Sequence, residues 1–168
     1  MEIYIVRHGK ALDHGDQRVT SDEMRWLIEE GRAEIETMAA LLARLGVTPD
    51  LVLTSPLVRA RQTAEIIAER VGSAAPTICD ELAPGGSPGG VLAEIARHDN
   101  PETVVAAGHM PGVAYLVGYL LHQDPDCGIG FRTGAIARIG LPDGDLAPGA
   151  GRLRWMIPPT VAQRLMSE

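Results

Sequence analysis

Residues 2–10 read Glu-Ile-Tyr-Ile-Val-Arg-His-Gly-Lys, an apolar, β-branched run that ends abruptly in two cations and a histidine. Such a run is typical of a buried strand, so we predict a strand over Glu2–Arg7. Ligands of open α/β sheets bind at the carboxyl ends of the strands. Arg7 and His8 are therefore the first candidate site residues.

Two later segments end in the same way. Leu51–Thr54 is a second predicted strand, and Arg59 lies about one turn into the helix that should follow it. Thr103–Ala107 is a third, and it is followed by Gly108 and His109. If these strands are parallel neighbours, their ends meet at one edge of the sheet. The pattern then predicts that four side chains converge there, namely Arg7, His8, Arg59 and His109.

The rest of the chain alternates between helical and extended patterns. The predicted helices are Glu29–Leu45, a helix capped by Ser55 with Pro56 in its first turn that runs to about Val71, Pro88–Arg97, Pro111–Leu121 and Pro158–Ser167. The further predicted strands are Thr77–Cys79, Gly134–Leu141 and Arg152–Ile157. This alternation predicts a single α/β domain over residues 1–168, a three-layer α/β/α sandwich with a mostly parallel sheet.

Composition excludes several classes of function. The chain has 168 residues, 45% of them hydrophobic, which suffices for one well-packed core. Its formal charge of −7 and aromatic content of 4% argue against nucleic-acid binding. Cys79 and Cys127 are too few for a disulfide framework or a zinc cage, and we interpret both as packing residues.

The sequence lacks targeting and membrane signals. The N-terminal residues have neither the basic region nor the apolar stretch of a signal peptide. No apolar run reaches the ~18 residues that a membrane-spanning helix needs. We therefore expect a cytoplasmic protein without a membrane partner.

The four converging residues suit an anion. Helix N-termini near Ser55 and Met110 would add partial positive charge to the same place. Taken singly, each residue also fits a structural role: Arg7-His8 a surface pair, Arg59 a salt bridge, and His109 a helix-entry residue. Their coincidence at three strand ends instead favours a phosphoryl pocket in which a neutral His8 attacks phosphorus.

These residues also resemble known motifs. Arg7-His8-Gly9 resembles the Arg-His-Gly signature of the histidine phosphatase superfamily, whose fold is phosphoglycerate-mutase-like. Residues 55–64, Ser-Pro-Leu-Val-Arg-Ala-Arg-Gln-Thr-Ala, resemble that family's second motif, Ser-Pro-x-x-Arg-x-x-Gln-Thr-Ala. Gly108-His109 resembles the third. The resemblance spans nearly the whole chain.

The short length, without a large inserted cap, resembles the small SixA-like branch, the protein phosphohistidine phosphatases. Residues 131–137 and 155–159 look like the closing strands of that branch. The resemblance implies that His8 is the phosphoacceptor and that Arg7, Arg59 and His109 bind phosphate. It also implies that the reaction needs neither a metal nor another cofactor.

Two features depart from the family pattern. Many relatives have Leu-Thr-x-x-Gly-Arg before the first long helix, whereas this chain has Ile28 in place of the Thr. The loop from Ala11 to Arg25 is long. Contact with acidic groups of a substrate is one role for its Arg18 and Arg25, but we interpret both as solvated side chains. These departures bear on substrate access rather than on the phosphate pocket.

Glu81 is the candidate general acid. In many relatives an acidic residue after the second motif protonates the leaving oxygen, and Glu81 lies in the corresponding loop. It would need a raised pKa to serve at neutral pH, and a solvated carboxylate is an equal alternative. A phosphohistidine substrate relaxes the demand, because imidazole leaves readily when its ring is protonated.

Other polar features fit structural roles. We interpret Ser55 as a helix cap and the segment from Gly85 to Gly90 as a loop at the rim of the site. His14, His98 and His122 are expected at the surface or at helix ends, with His14 in a loop that should border the pocket.

The sequence predicts a phosphatase that forms a covalent phosphohistidine intermediate on His8. Its expected substrate is phosphohistidine on a signalling or phosphotransfer protein. One alternative is a phosphomonoesterase for a small sugar phosphate or nucleotide, and another is a non-catalytic phosphate-binding module. The sequence contains no signal for an oligomeric state.

Overall fold

The structure of the protein is a computed structural model that describes residues 1–124 and 128–167. Within these ranges one sheet contains β1 (Glu2–Arg7), β2 (Leu51–Thr54), β3 (Thr77–Ile78), β4 (Thr103–Gly108), β5 (Ile136–Gly140) and β6 (Arg152–Ile157). Its strand order is β3-β2-β4-β1-β5-β6. The strands β3, β2, β4 and β1 are parallel, while β5 pairs antiparallel with both β1 and β6. The prediction of a mostly parallel sheet is confirmed.

The described helices are α1 (Glu29–Arg44), α2 (Val58–Val71), α3 (Pro88–Ile95), α4 (Gly112–His122) and α5 (Pro159–Met166). Short 3₁₀ turns lie at Asp22–Met24, Asp80–Leu82 and Pro142–Gly144. No helix in the described ranges is both long and apolar enough to cross a membrane.

The helices cover both faces of the sheet. Side chains alternate along a strand, so Ile3 and Ile5 pack with α3 and α4, whereas Tyr4 and Val6 pack with α1, α2 and α5. Each face buries its own apolar cluster. The three-layer α/β/α architecture is thus confirmed.

Several helix ends differ from the sequence prediction by one or two residues. The helix α2 begins at Val58, with Leu57 as its N-cap, so Ser55 and Pro56 belong to the preceding turn. The helix α1 ends at Arg44 rather than at the predicted Leu45, which is the C-cap and is 53% exposed. Gly46 follows with a φ of +70°, which a glycine adopts without strain and which ends the helix.

Of the two cysteines, Cys79 is buried in the core, as predicted, and burial raises the pKa of its thiol. Cys127 lies outside the described residues.

Candidate active site

The sheet brings the predicted strand ends together. The strands β1 and β4 are parallel neighbours with Arg7 opposite Gly108, so the next residues, His8 and His109, lie side by side. Their ring centroids are 4.9 Å apart. The backbone pairing continues past the strands: His8 N–H donates to the Gly108 carbonyl at 3.0 Å, and Ser55 N–H donates to the Ala107 carbonyl at 3.0 Å.

His8 is held in one tautomer. Its Nδ1 lies 2.7 Å from the Gly9 carbonyl oxygen, which can only accept a hydrogen bond. Its Nε2 lies 3.3 Å from Arg59 Nε, which can only donate one. The two partners therefore place the proton on Nδ1 and leave a lone pair on Nε2.

The electrostatic surroundings keep His8 neutral. Burial lowers its pKa to about 4, and the charges of Arg59, Arg7 and Arg25 act in the same direction, although the Gly9 hydrogen bond opposes them. At neutral pH the ring is thus a neutral base that carries its one proton on Nδ1 and has Nε2 as its reactive atom.

His109 is oriented by Ser55. The Ser55 hydroxyl accepts a hydrogen bond from Leu57 N–H at 3.3 Å and lies 2.8 Å from His109 Nε2. If the hydroxyl proton is donated to Nε2, the ring proton is on Nδ1, a buried atom with no hydrogen-bond partner among the described residues. Burial, followed by the charges of His8 and Arg59, lowers the pKa of His109 to about 3. The neutral ring can donate its Nδ1–H to an anion.

The two predicted arginines flank these rings. Arg7 donates from Nη1 to the Phe131 carbonyl at 2.6 Å, while its Nε is buried without a partner among the described residues. Arg59 is only 4% exposed. Burial lowers the pKa of each guanidinium, and both remain cations because arginine starts from so high a value. The structure thus brings together the four residues that the sequence predicted.

Close packing fixes the turn after β1. Gly9 N–H donates to Thr63 Oγ1 at 3.2 Å, and this hydroxyl donates to the Arg59 carbonyl at 2.8 Å. A Cβ on Gly9 would lie 2.8 Å from Ile35 Cγ1 and 2.9 Å from the Gly31 carbonyl oxygen. Only a glycine allows α1 to approach this turn so closely, and the approach sets the position of His8.

The loop after β1 contributes two residues that the sequence analysis did not assign to the site. Arg59 donates from Nη1 to the Asp22 carbonyl at 2.8 Å and from Nη2 to Asp22 Oδ2 at 2.9 Å. Arg25 donates from Nη1 to Asp22 Oδ1 at 2.5 Å and from Nε to the Leu12 carbonyl at 2.6 Å. The interpretation of Arg25 as a solvated side chain is wrong, because its side chain is 17% exposed and is held by these contacts.

The available signal for this pair was the i, i+3 spacing of Asp22 and Arg25 in a loop expected to border the pocket. His14, from the same loop, lines a cavity of about 280 Å³ together with Asp22 and Arg25. Arg18 matches its prediction: it is exposed and pairs with Asp16 at 2.8 Å.

The expectation that Ser55 caps the following helix is also corrected. The helix begins three residues later, and the Ser55 hydroxyl instead orients His109.

Glu81 does not have the environment that a general acid needs. Its Oε2 accepts hydrogen bonds from the Ser87 backbone N–H at 2.7 Å and from the Ser87 hydroxyl at 2.9 Å. These bonds lower the pKa of the exposed Glu81 carboxyl, whereas a general acid would need a raised one. The geometry favours a role in holding the start of α3, where Ser87 is the N-cap.

The assembled site can bind and polarise a tetrahedral anion. It offers a nucleophilic Nε2 on His8, unpaired donors at Arg7 Nε and His109 Nδ1, and the guanidinium of Arg59. In the described ranges, no group of three or more His, Cys, Asp or Glu side chains is arranged to hold a metal ion.

The comparisons with known proteins agree with this arrangement. The sequence model of the histidine phosphatase superfamily (branch 1) matches residues 3–83. The phosphohistidine phosphatase SixA of Escherichia coli K12 is 32% identical over 164 residues, which cover 95% of this chain and 94% of SixA.

Solved structures show the same fold. The histidine phosphatase SixA complexed with tungstate superposes with a TM-score of 0.82 at 32% identity, covering 96% of this chain and 99% of that one. An α-ribazole phosphatase from Shigella flexneri has a TM-score of 0.75 at 15% identity, covering 95% of this chain and 97% of its own, and shares the fold. The family motifs, the meeting of their side chains at the strand ends and the nearly full-length similarity to SixA all agree. The chain belongs to the histidine phosphatase superfamily.

Proposed function

We propose that the protein is a phosphatase that transfers a phosphoryl group to His8 Nε2 and then to water. The observation that carries the proposal is the fixed tautomer of His8, with Nδ1–H on the Gly9 carbonyl and the Nε2 lone pair beside Arg59. An imidazole in this state can attack phosphorus without first losing a proton.

Stabilisation of the transferring group is assigned to three neighbours of His8. Arg7 and His109 each have a buried, unpaired nitrogen, and Arg59 lies against the nucleophile. Phosphoryl transfer depends mainly on positioning and on charge stabilisation of the equatorial oxygens. The proposed reaction uses these side chains for that purpose and requires no metal or other cofactor.

The proposed substrate is phosphohistidine on a signalling or phosphotransfer protein. Support comes from the similarity to the E. coli relative, which is a phosphohistidine phosphatase. It comes also from Glu81, whose lowered pKa does not suit proton donation to an alkoxide. A single domain, a cytoplasmic location and the absence of nucleic-acid or membrane partners remain predictions.

A second candidate is a phosphomonoesterase for a small phosphate ester. The position of Asp22 favours this candidate. Asp22 is hydrogen-bonded to Arg59, so the segment that contains it covers one side of the pocket. A roofed pocket suits a small substrate that is enclosed after it binds.

The test compares wild type with His8→Ala and His98→Ala. His98 is a matched control, since it lies three residues after the end of α3 and its Nε2 is 3.5 Å from Glu94 Oε1. Each variant is assayed on a phosphohistidine-bearing phosphotransfer protein and on a panel of sugar phosphates and nucleotides. Phosphoenzyme is trapped by alkaline denaturation, because phosphohistidine is labile in acid.

We expect wild type and His98→Ala to form a phosphoenzyme and to turn over the phosphoprotein with the higher kcat/KM, and His8→Ala to do neither. A preference of ~10²-fold or more for one small ester, about 2.7 kcal/mol, would replace the proposed substrate by the second candidate. Phosphate binding without turnover or phosphoenzyme would identify a binding module instead.

A further inference from the structure

The guanidinium of Arg59 is shared between the nucleophile and one carboxylate. Its Nε faces His8 Nε2 at 3.3 Å, and its Nη2 faces Asp22 Oδ2 at 2.9 Å. These two nitrogens form one edge of the planar guanidinium, and this edge commonly holds two oxygens of a single anion. Asp22 therefore lies next to the place where His8 would meet a phosphoryl group.

Asp22 is the outer member of this arrangement. The Asp22 side chain is 39% exposed, whereas His8 is only 8% exposed. A phosphoryl group attacked in line by His8 has its leaving group on the opposite, solvent-facing side. The Asp22 carboxylate is thus on the side of the pocket from which the leaving group departs.

The carboxylate is an acceptor and not a proton donor. Partial burial raises the pKa of Asp22, but the hydrogen bonds and charges of Arg25 and Arg59 outweigh this and lower it overall. Each of its two oxygens accepts one bond from an arginine, and a carboxylate has about four acceptor positions. Acceptor capacity remains for a donor on a substrate.

The enzyme's own histidine shows what such an acceptor is for. When phosphohistidine at His8 Nε2 is hydrolysed, His8 is the leaving group, and its distal Nδ1–H is held by the Gly9 carbonyl. A substrate phosphohistidine needs the same support when its ring leaves in the first step. The Gly9 carbonyl is the acceptor on the buried side, and a substrate ring would need a second acceptor on the solvent side.

We propose that Asp22 determines leaving-group specificity, with its carboxylate accepting the distal ring N–H of a substrate phosphohistidine. This inference rests on the proposed function and names the residue that selects its substrate class. The acceptor favours a substrate ring protonated at its distal nitrogen, since an N–H···O⁻ bond to a carboxylate strengthens as the donor becomes cationic.

The transfer step balances without a proton donor. The substrate N–P bond breaks as the His8 Nε2–P bond forms, and the electron pair of the broken bond goes to the ring nitrogen. The ring enters as an imidazolium and departs as a neutral imidazole that keeps its distal N–H on Asp22. An alkyl phosphate gains nothing from this carboxylate, because its leaving oxygen needs a proton that an ionised Asp22 does not hold.

The experiment measures a ratio of substrates, so that a general loss of activity cancels. For wild type and Asp22→Asn, kcat/KM is determined on a phosphohistidine peptide and on phosphoserine. Asp16→Asn is the matched control, because Asp16 lies in the same loop and forms a comparable ion pair with Arg18, yet has no contact with Arg59. We expect Asp22→Asn to lower the phosphohistidine-to-phosphoserine ratio roughly tenfold to a hundredfold, and Asp16→Asn to leave it unchanged.

A second measurement uses wild type alone, so that it does not depend on the folding of a variant. The probe is an N-phosphoimidazolium whose distal nitrogen is methylated, which keeps the positive charge but has no N–H donor. We expect wild-type kcat/KM, relative to each compound's hydrolysis in buffer, to be at least tenfold lower for this probe than for phosphohistidine.

An unchanged substrate ratio in Asp22→Asn, with both activities reduced alike, would show that Asp22 only positions Arg59 and would overturn this inference alone. Equal relative rates for the methylated and unmethylated rings would overturn it as well. If wild type turns over phosphoserine but not phosphohistidine, the proposed substrate fails together with the inference.

Discussion

The site has two halves that differ in how they are held. The strand-end half consists of His8, His109 and Arg59, each at most 8% exposed, together with the partly buried Arg7. The loop half consists of Asp22 and Arg25 beside Arg59, whose bonds to one another are mainly between side chains. The sheet fixes the two histidines through its backbone and α2 carries Arg59, whereas the second half depends mainly on ion pairs between side chains.

This difference teaches which half performs which task. Bonds at the sheet edge, such as His8 N–H to the Gly108 carbonyl, join backbone groups at the ends of neighbouring strands. They suit the chemistry, which needs fixed distances. The loop is fastened near its base, where Leu12 N–H donates to the Trp26 carbonyl at 3.0 Å and Ala11 pairs with Leu27. Its middle is joined to the rest of the site through the Asp22–Arg59 and Arg25–Leu12 hydrogen bonds.

The largest expected effect is the loss of Arg59 from the strand-end half. Arg59→Ala should lower kcat/KM by about 10³-fold, near 4 kcal/mol, because it removes a buried cation from the transferring phosphoryl group. Arg61→Ala is the control, since Arg61 lies on the same helix but is exposed and pairs with Glu65. A loss below tenfold for Arg59→Ala would show that Arg59 does not stabilise the transferring phosphoryl group.

The next effect concerns the buried neutral histidines and the pH. An unfolded chain binds a proton at His8 near its ordinary pKa of 6.5, whereas burial holds the folded value at about 4. The free energy of unfolding should therefore fall as the pH drops from about 6.5 towards 4, by up to about 3 kcal/mol from this residue.

Urea unfolding of wild type and His8→Asn at several pH values measures this effect. We expect the slope of stability against pH to be shallower in His8→Asn, with the remaining slope reporting in part on His109, whose pKa is lowered to about 3. Identical slopes would mean that His8 titrates alike in the folded and unfolded chains. That result would contradict the buried, neutral state of His8 in the strand-end half.

A smaller effect is expected at Ser55, which orients His109 without contacting His8 in the described structure. Ser55→Ala should lower kcat/KM about tenfold, because it removes a buried hydrogen bond of about 1 kcal/mol and leaves the His109 tautomer free. Steady-state kinetics would show the loss mainly in kcat. Full activity would indicate that His109 is held by packing alone.

The smallest effect is expected at Glu81. Glu81→Gln should change kcat/KM on phosphohistidine by less than about threefold, because the carboxylate is engaged by Ser87 and does not supply a proton. The same variant assayed on phosphoserine provides the contrast. A fall of ~10²-fold in kcat/KM on either substrate would identify Glu81 as a general acid and as a residue of the active site.

The sequence by itself predicted much of this molecule. Apolar runs marked the three central strands, and the residues directly after them marked the nucleophile and its neighbours. Such predictions succeed because the pattern of a strand is local in sequence. Parallel pairing then places the carboxyl ends of β1, β2 and β4 at the same edge of the sheet. The four residues Arg7, His8, Arg59 and His109 therefore meet for reasons already present in the chain.

The hydrogen-bond partners of these residues depend on the tertiary structure. Asp22 meets Arg59 across 37 positions, and Ser55 meets His109 across 54. No local pattern predicts such pairs, because they depend on the path of a loop and on where α2 begins. Helix capping was the locally reasonable role for Ser55, and solvation was the reasonable one for Arg25. In the structure Ser55 is instead hydrogen-bonded to the buried His109 ring, and Arg25 to Asp22 and the Leu12 carbonyl. Most buried polar groups are hydrogen-bonded, and the partner is whichever group the fold brings close in space.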